Sequence, residues 1–256
     1  MQLLIAFFAC LVVMLALWFW QRRSGRADWV DAAWAGLIGL QAVAWAAIGE
    51  GSAEKRILVV LLAAPWSFRL TFHLARRLAS ETREDGRYRA MREQFGDRQQ
   101  PLLFMFFIVQ AAVAWMFALP AWVVANDPSA DLNGWVIAGV AIWMVSLVGE
   151  SIADRQLQSF RADPDHRGKV CALGLWRYSR HPNYFFEWLH WFSYPLVAIG
   201  APNAWLAWLG PAVMLVFLYR VSGIPYTEKQ ALKSRGEAYR EYQRTTSAFI
   251  PWPPKR

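Results

Sequence analysis

Two long uncharged stretches, one near the start of the chain and one near its middle, most restrict what this sequence can fold into. Leu3 to Trp20 and Leu102 to Ala125 contain no charged residue. A run of about 18 or more apolar residues is long enough for a helix to cross a bilayer. Hydrophobic residues make up 56% of the 256 residues and charged residues only 18%, whereas soluble domains usually carry about 25% charge. This composition excludes a soluble enzyme, a disordered chain and a collagen-like chain.

The hydropathy pattern predicts an all-α, polytopic membrane protein, a bundle of seven transmembrane helices. The spans are predicted at residues 2–21, 29–49, 57–75, 102–125, 132–152, 185–200 and 203–221. The first is interpreted as a span and not as a cleavable signal peptide, because it has no basic leading region and arginines follow it. No fixed-period repeat or low-complexity linker divides the chain, which predicts a single domain over residues 1–256.

The charges in the loops predict the orientation. Basic clusters follow the first, third, fifth and seventh spans, whereas the loops at 126–131 and 201–204 contain no Lys or Arg. In the loop at 50–56, two cations are balanced by Glu50 and Glu54. Because cytoplasmic loops carry the excess of Lys and Arg, the pattern predicts an outside N-terminus and a cytosolic C-terminus. The net charge of +8 then indicates cytoplasmic loops or a pocket for a phosphorylated cofactor, and not a nucleic-acid partner.

A polar face follows the fifth span. Glu150, Asp154, Gln158 and Arg161 are spaced by four, four and three residues, which places them on one face of a helix that continues into the cytosol. Such a face is either a solvated helix end or the wall of a site.

A dense polar cluster lies at residues 174–187, at the start of the short sixth span. It contains two Arg, one His, one Asn, two Tyr and Glu187. An ionisable group at membrane depth is costly, so Glu187 should face a polar cavity or pair with a cation. Pro182 fits the first turn of a helix, where unpaired amides suit an anion. The cluster is therefore either an anion or nucleotide pocket or an interfacial anchor.

The run GLWRYSRHPNYFFEW at this cluster resembles the C-terminal signature of the steroid 5-alpha-reductase superfamily, in particular its bacterial members. The resemblance covers residues 150–256 well and the first half more loosely, through WSFRLTFHLARR and EDGRY. The Arg-His-Pro-x-Tyr element is similar to one in isoprenylcysteine carboxyl methyltransferases. The superfamily implies a membrane enzyme, here of the bacterial inner membrane, with its cofactor site facing the cytosol.

The resemblance implies NADPH as the cofactor, held by side chains, since the chain has no Rossmann glycine-rich loop. Arg161, Lys169 and Arg180 are the expected phosphate contacts. The cofactor-binding residues implied by the signature, the polar face and the tail are Asp154, Gln158, Arg161, Lys169, Tyr178, Arg180, His181, Asn183, Tyr184, Glu187, Glu228 and Tyr239. The tail that carries Glu228 and Tyr239 is either an interfacial amphipathic helix or a lid over the cofactor.

The catalytic residues are implied less directly. The family uses a Tyr of the third span supported by a Glu of the second, and here His73 stands at the Tyr position while no Glu occupies the second span. Either His73 with Asp31 replaces the pair, or Tyr88 of EDGRY folds back into the pocket.

The implied activity is reduction of a carbon–carbon double bond conjugated to a carbonyl, in a 3-oxo-4-ene steroid or similar lipid. An S-adenosylmethionine-dependent membrane methyltransferase is the alternative, and a lipid-binding or assembly protein ranks third. The expected partners are a hydrophobic small molecule and membrane lipid, with the protein a monomer. The four His and two Cys show no metal-ligand spacing, so no metal is expected.

Overall fold

The computed structural model describes residues 1–221 and 223–255, and every regular element within them is helical. The all-α prediction is confirmed. The internal contacts divide the chain into two compact units, 1–131 with 200–209 and 132–199 with 210–256. The single domain stays a prediction.

The first unit contains five α-helices and two short 3₁₀ turns. The helices are α1 (Gln2–Ser24), α2 (Trp29–Ile48), α3 (Ala53–Ser80), α4 (Gly86–Phe95) and α5 (Gln99–Ala125), and the turns are Gly96–Arg98 and Ala204–Trp208. Helix α2 packs against both α3 and α5, and α1 packs against α5.

A glycine on α2 allows the close contact between α2 and α3. A Cβ on Gly39 would lie 2.2 Å from Oγ of Ser67, so only glycine fits at this separation. Ser67 Oγ in turn donates to the carbonyl of Ala35 at 2.8 Å. Small residues and hydroxyl bonds of this kind join helices in a membrane, where apolar side chains gain nothing by leaving the lipid.

The two cations of the loop at 50–56 are neutralised locally. Lys55 forms a buried ion pair with Asp127, with Nζ to Oδ2 at 2.9 Å and side chains only 2% and 3% exposed. Arg56 donates to the last carbonyls of α2, those of Ala46 and Ala47, at 2.6 and 2.8 Å, which are orphan acceptors at a helix end. The contacts shown for the two cations are thus with Asp127 and with the end of α2, whereas the sequence suggested Glu50 and Glu54.

The second unit is built on a helix longer than its predicted span. Its helices are α6 (Gly134–Ala162), α7 (Pro182–His190), α8 (Ser193–Val197), α9 (Leu209–Val216), α10 (Ile224–Arg235) and α11 (Glu237–Thr245), with 3₁₀ turns at Pro164–His166 and Gly174–Arg177 and a π-helical segment at Phe217–Val221. The continuation of α6 to Ala162 confirms that Asp154, Gln158 and Arg161 lie on a helix extending the fifth span. Helix α6 packs against α7 and α8, with the ring of Phe186 seated on Gly149.

Among the described residues, six helical stretches are long and apolar enough to cross a membrane, which identifies an integral membrane protein. They are Gln2–Ser24, Trp29–Ile48, Ala53–Ser80, Gly86–Ala125, Gly134–Ala162 and Ala204–Arg235. They match six of the seven predicted spans.

The predicted span at 185–200 is not one continuous helix. It consists of α7 and α8, of nine and five residues, separated by a turn at Trp191 and Phe192. Pro195 favours a break here, because its ring would clash with the carbonyl four residues earlier in a continuous helix and it has no amide to donate. Pro182 occupies the first turn of α7, as predicted.

Candidate functional site

The predicted site residues fall into two sets. Asp31, His73 and Tyr88 belong to the first unit, and all the predicted cofactor-binding residues belong to the second. Each set is described within its own unit.

In the first unit, Asp31 binds two consecutive residues of α4. Tyr88 donates its hydroxyl to Oδ1 of Asp31 at 2.8 Å, and Arg87 donates from Nη2 to Oδ2 at 2.6 Å. Tyr88 is only 3% exposed, while Asp31 and Arg87 are partly exposed. The structure thus brings together the carboxylate, the phenol and a guanidinium.

His73 is not part of this arrangement. It is exposed on α3, and both carboxylate oxygens of Asp31 bind residues of α4. Of the two candidates left by the sequence, Tyr88 is the one whose side chain binds Asp31 in the structure; the catalytic role of either residue stays a prediction. The loop before α4 turns the chain so that Tyr88 faces Asp31. An alignment of the third span, which contains His73, carries no information about this loop.

A network of charged residues holds α4 in place. Asp28 is fully buried; its carboxylate accepts two bonds from Arg26, at 3.2 and 3.1 Å, and one from the amide of Asp85 at 2.9 Å. Asp85 also accepts from Arg87 and Arg77. Burial by itself would raise the pKa of the Asp85 carboxyl, but the charge of Arg87, its hydrogen bonds and the charge of Arg77 lower that pKa below its ordinary value.

A second pair fastens the same loop. Arg92 donates to both oxygens of Glu84, at 2.9 and 3.1 Å, and to Oε1 of Gln21 at 2.9 Å. Glu84 in turn accepts from the amide of Ala27 at 2.7 Å. The segment EDGRY is therefore held at both of its acidic residues, and these contacts fix the position of Tyr88.

In the second unit, the signature segment is attached to α6. Asn183 of α7 donates to Oδ1 of Asp154 at 3.2 Å, which joins the polar face of α6 to the signature. Nε1 of Trp176 donates to the carbonyl of Ala153 at 2.9 Å, and the amide of Leu175 donates to Gln156 at 2.9 Å. These bonds fix the polar cluster at residues 174–187 against α6.

Gly174 is required where the signature turns against α6. Its φ is +56°, and a Cβ there would lie 2.3 Å from the side chain of Gln156. Glycine alone meets both conditions, since other residues rarely adopt this backbone conformation.

Arg180 is bound by the protein itself. Its Nε donates to Glu228 at 2.6 Å, and its Nη1 donates to the carbonyls of Gln243 and Thr246 at 3.0 and 2.6 Å. The side chain is 10% exposed. Arg180 therefore holds the C-terminal tail through its Nε and Nη1.

The other signature side chains have contacts of their own. The ring of His181 stacks on Tyr184, with centroids 5.3 Å apart, and its Nε2 lies 3.4 Å from Glu228. Glu187 accepts from Nε1 of Trp191 at 3.1 Å, which supplies a polar partner for this carboxyl. Tyr178 is 41% exposed.

The C-terminal tail packs onto the signature segment. Tyr242 donates its hydroxyl to the carbonyl of Trp176, Ser179 donates to the carbonyl of Phe249 at 2.7 Å, and the amide of Trp252 donates to the carbonyl of Tyr178 at 2.9 Å. Burial raises the pKa of Tyr239 to about 12, with the charge of Glu228 acting in the same direction. Between a lid and an interfacial helix, these contacts favour a tail docked on the signature.

Exposed basic residues lie beside this docked tail. Arg161 and Lys169 are exposed, and the carbonyl of Lys169 accepts from Nε of Arg235 at 2.9 Å. Burial raises the pKa of the Cys171 thiol, and a hydrogen bond with the backbone of Leu173 and the charges of Arg161 and Arg235 oppose that rise. A groove of about 450 Å³ runs here between the signature and the tail, lined by Leu173, Gly174, Arg177, Tyr242 and Thr246 among others.

Comparison with known proteins gives the family. A family model described as "Protein of unknown function (DUF1295)" matches residues 17–246. The chain belongs to the DUF1295 family. It is similar to an uncharacterized protein of Schizosaccharomyces pombe (strain 972), at 28% identity over 234 residues that cover 80% of this chain and 66% of that protein. The chain thus spans slightly less than two thirds of the relative's length. No solved structure matches it.

The DUF1295 match includes every predicted site residue, since these run from Asp31 to Tyr239. It also includes residues that the sequence interpretation missed: Asp28, Glu84, Asp85, Arg92 and Ser179. The three carboxylates belong to loops that look solvated in the sequence, whereas Arg92 lies on α4. The only signal for the carboxylates is the density of charge in GRAD and ETRED, beside the ends of apolar helices.

Proposed function

We propose that the protein is an NADPH-dependent membrane reductase that saturates a carbon–carbon double bond conjugated to a carbonyl in a hydrophobic substrate. The proposal rests on the resemblance of the signature to the steroid 5-alpha-reductase superfamily. The observation that carries it in the structure is the bond between Asn183 and Asp154, which joins the two segments to which the resemblance assigns the cofactor. A 3-oxo-4-ene steroid or similar lipid is the proposed substrate class.

The residues of the second unit suit a nucleotide with an extra phosphate. Arg161 and Lys169 are exposed cations, and Asp154 and Asn183 supply a carboxylate and an amide for hydroxyl or amide groups of the cofactor. Bound NADPH would supply the hydride. Arg180 and Glu228 would act indirectly, by fixing the tail beside the groove.

The proposed proton donor is Tyr88. As the double bond is reduced, negative charge develops on the carbonyl oxygen, so a positioned donor lowers the barrier. Tyr88 is buried and oriented by Asp31, which is in turn held by Arg87. In the structure the single hydroxyl proton of Tyr88 is donated to Asp31, so Tyr88 can protonate a substrate oxygen only by exchanging this bond for one to the substrate.

The activity is tested with the purified protein, NADPH and a panel of enones, read by mass spectrometry. We expect a product heavier by two hydrogens, with deuterium from labelled NADPH on one carbon and a solvent hydrogen on the other. A methylated product formed from S-adenosylmethionine, with no NADPH consumed, would instead establish the transferase.

The cofactor side gives a separate expectation. Replacing Arg161 by Ala should weaken NADPH binding roughly tenfold or more, because a charge-assisted bond contributes about 1.5–3 kcal/mol. The loss should be smaller for NADH, which lacks the additional phosphate. Titration of the bound nicotinamide by fluorescence measures both affinities.

Arg155→Ala is the matched control. Arg155 is exposed on the same helix but points about 120° away from the face of Arg161, so its loss should leave NADPH affinity unchanged. Equal losses in the two variants would indicate a diffuse charge effect and no phosphate contact at Arg161.

We further propose seven spans, with the N-terminus outside and the C-terminus in the cytosol of a bacterial inner membrane. The sixth would consist of α7 and α8 together, crossing as a broken helix. This orientation keeps the basic tail after residue 228 on the cytosolic side.

Reporter fusions decide between seven spans and six. With seven, fusions at Pro128 and at the C-terminus should report opposite sides. With six, α7 and α8 would not cross, and both fusions would report the same side. A third fusion after Gly200 locates the additional crossing.

A further inference from the structure

The second unit carries another groove, which none of the assignments above uses. It lies beside the π-helical segment Phe217–Val221 and has a volume of about 530 Å³, within the range of roughly 300–1,000 Å³ of small-molecule sites. Trp188, Tyr219 and Phe249 line it. The ring of Phe249 packs at 5.4 Å from that of Trp188 and at 5.3 Å from that of Tyr219, so these rings form a continuous aromatic wall.

The groove also contains a cation. Arg220 lines it, is exposed, and belongs to the apolar stretch Ala204–Arg235 that is long enough to cross a membrane. Within residues 1–221 and 223–255, no carboxylate forms an ion pair with Arg220. A cation in such a stretch is costly unless it pairs with an anion or reaches the headgroup region.

The π-helical segment explains how Arg220 comes to the groove. A π-turn shifts the register of the side chains by adding a residue to the turn, and such turns occur often at functional sites. Here Tyr219 and Arg220 are neighbours in the turn and both line the groove. An aromatic surface and a cation are therefore presented side by side.

The groove opens to the surface of the protein. Val216 and Ile250 line it and are 54% and 56% exposed. A molecule that fits must be apolar over the aromatic wall and anionic at Arg220.

We propose that this groove binds an anionic phospholipid, with an acyl chain along Trp188, Tyr219 and Phe249 and the phosphate at Arg220. A guanidinium binds a phosphate through two parallel hydrogen bonds, and a cation at the membrane surface attracts anionic lipids. The membrane supplies this ligand at high local concentration. The site does not depend on the reductase activity and would be present in a protein of any function.

The test is native mass spectrometry of the detergent-purified protein, titrated with phosphatidylglycerol and with phosphatidylcholine of the same acyl chains. We expect phosphatidylglycerol to be retained about fivefold more strongly. Arg220→Gln should abolish the preference, and Arg220→Lys, which keeps the charge but not the two parallel hydrogen bonds, should keep only part of it. Val216→Trp, which fills the groove, should lower the retention of both lipids.

Arg23→Gln is the matched control, because Arg23 is an exposed cation at the end of α1 and its loss should leave the preference intact. Equal retention of the two lipids by the wild-type protein would overturn the proposal, even if Arg220→Gln did not fold. So would an unchanged preference in a folded Arg220→Gln variant, or a groove that binds a free fatty acid in place of phosphatidylglycerol.

Discussion

Tyr88→Phe is expected to lower the turnover of enone reduction by roughly 10²-fold or more, the usual scale for a positioned acid, while NADPH affinity stays close to that of the wild type. The change removes only the hydroxyl that Tyr88 donates to Asp31. The ring stays, and Arg87 still binds Asp31. Steady-state kinetics and NADPH titration measure the two effects separately.

His73→Ala is the control for this expectation. His73 is exposed on α3, so its loss should change turnover by less than about threefold, in the range of surface substitutions without a structural role. A collapse of turnover in His73→Ala with activity retained in Tyr88→Phe would reverse the assignment. Thermal melting of both variants excludes unfolding, since loss of one buried hydrogen bond costs only about 1–3 kcal/mol.

Hydropathy alone predicts most of the helical framework. The helices α1, α2, α3 and α5 lie in stretches long and apolar enough on average to cross a bilayer, so length and composition suffice. The polar extension of α6 also follows from the sequence, because the spacing of Asp154, Gln158 and Arg161 matches the helical period. These features depend on residues close together in the chain.

The break between α7 and α8 is harder to predict. The stretch at 185–200 has the composition of a span, and Pro195 is the one local sign against a continuous helix. Proline also occurs inside α3 and α5, as Pro65 and Pro120, without ending either helix. The outcome depends on the packing of α8 against α6, which the sequence does not contain.

The partners of charged residues are the least predictable part. A guanidinium attracts a phosphate and a carboxylate of its own chain for the same physical reason, so Arg180 in the signature fits either one. Glu228, its partner, lies 48 residues further along. Likewise Tyr88 is 57 residues from Asp31, and only the folding of the loop before α4 decides that Tyr88, and not His73, reaches that carboxylate.

Removing the guanidinium of Arg180 should release the C-terminal tail. Arg180 binds Glu228 and the carbonyls of Gln243 and Thr246, and its amide donates to the carbonyl of Ser247. Breaking a buried ion pair by removing one partner costs about 3–5 kcal/mol of folding free energy. The side chains of Arg180 and Glu228 are still 10% and 16% exposed, so we expect a cost at the lower end of this range. Arg180→Ala should therefore make the tail after Arg235 susceptible to limited proteolysis, while Gln2–Ser24 stays protected by detergent.

Two further variants separate a tail clamp from a phosphate contact. Glu228→Gln removes the carboxylate and leaves Arg180 in place, so it should also expose the tail to protease, although less strongly. Arg161→Ala keeps the bonds of Arg180 to Glu228 and to the tail carbonyls, so it should leave the protease pattern unchanged while NADPH affinity falls. If Arg180→Ala weakens NADPH binding while the tail stays protected from protease, the guanidinium of Arg180 contacts the cofactor directly. The bonds of Arg180 to Glu228 and to the tail would then exist only in the cofactor-free protein.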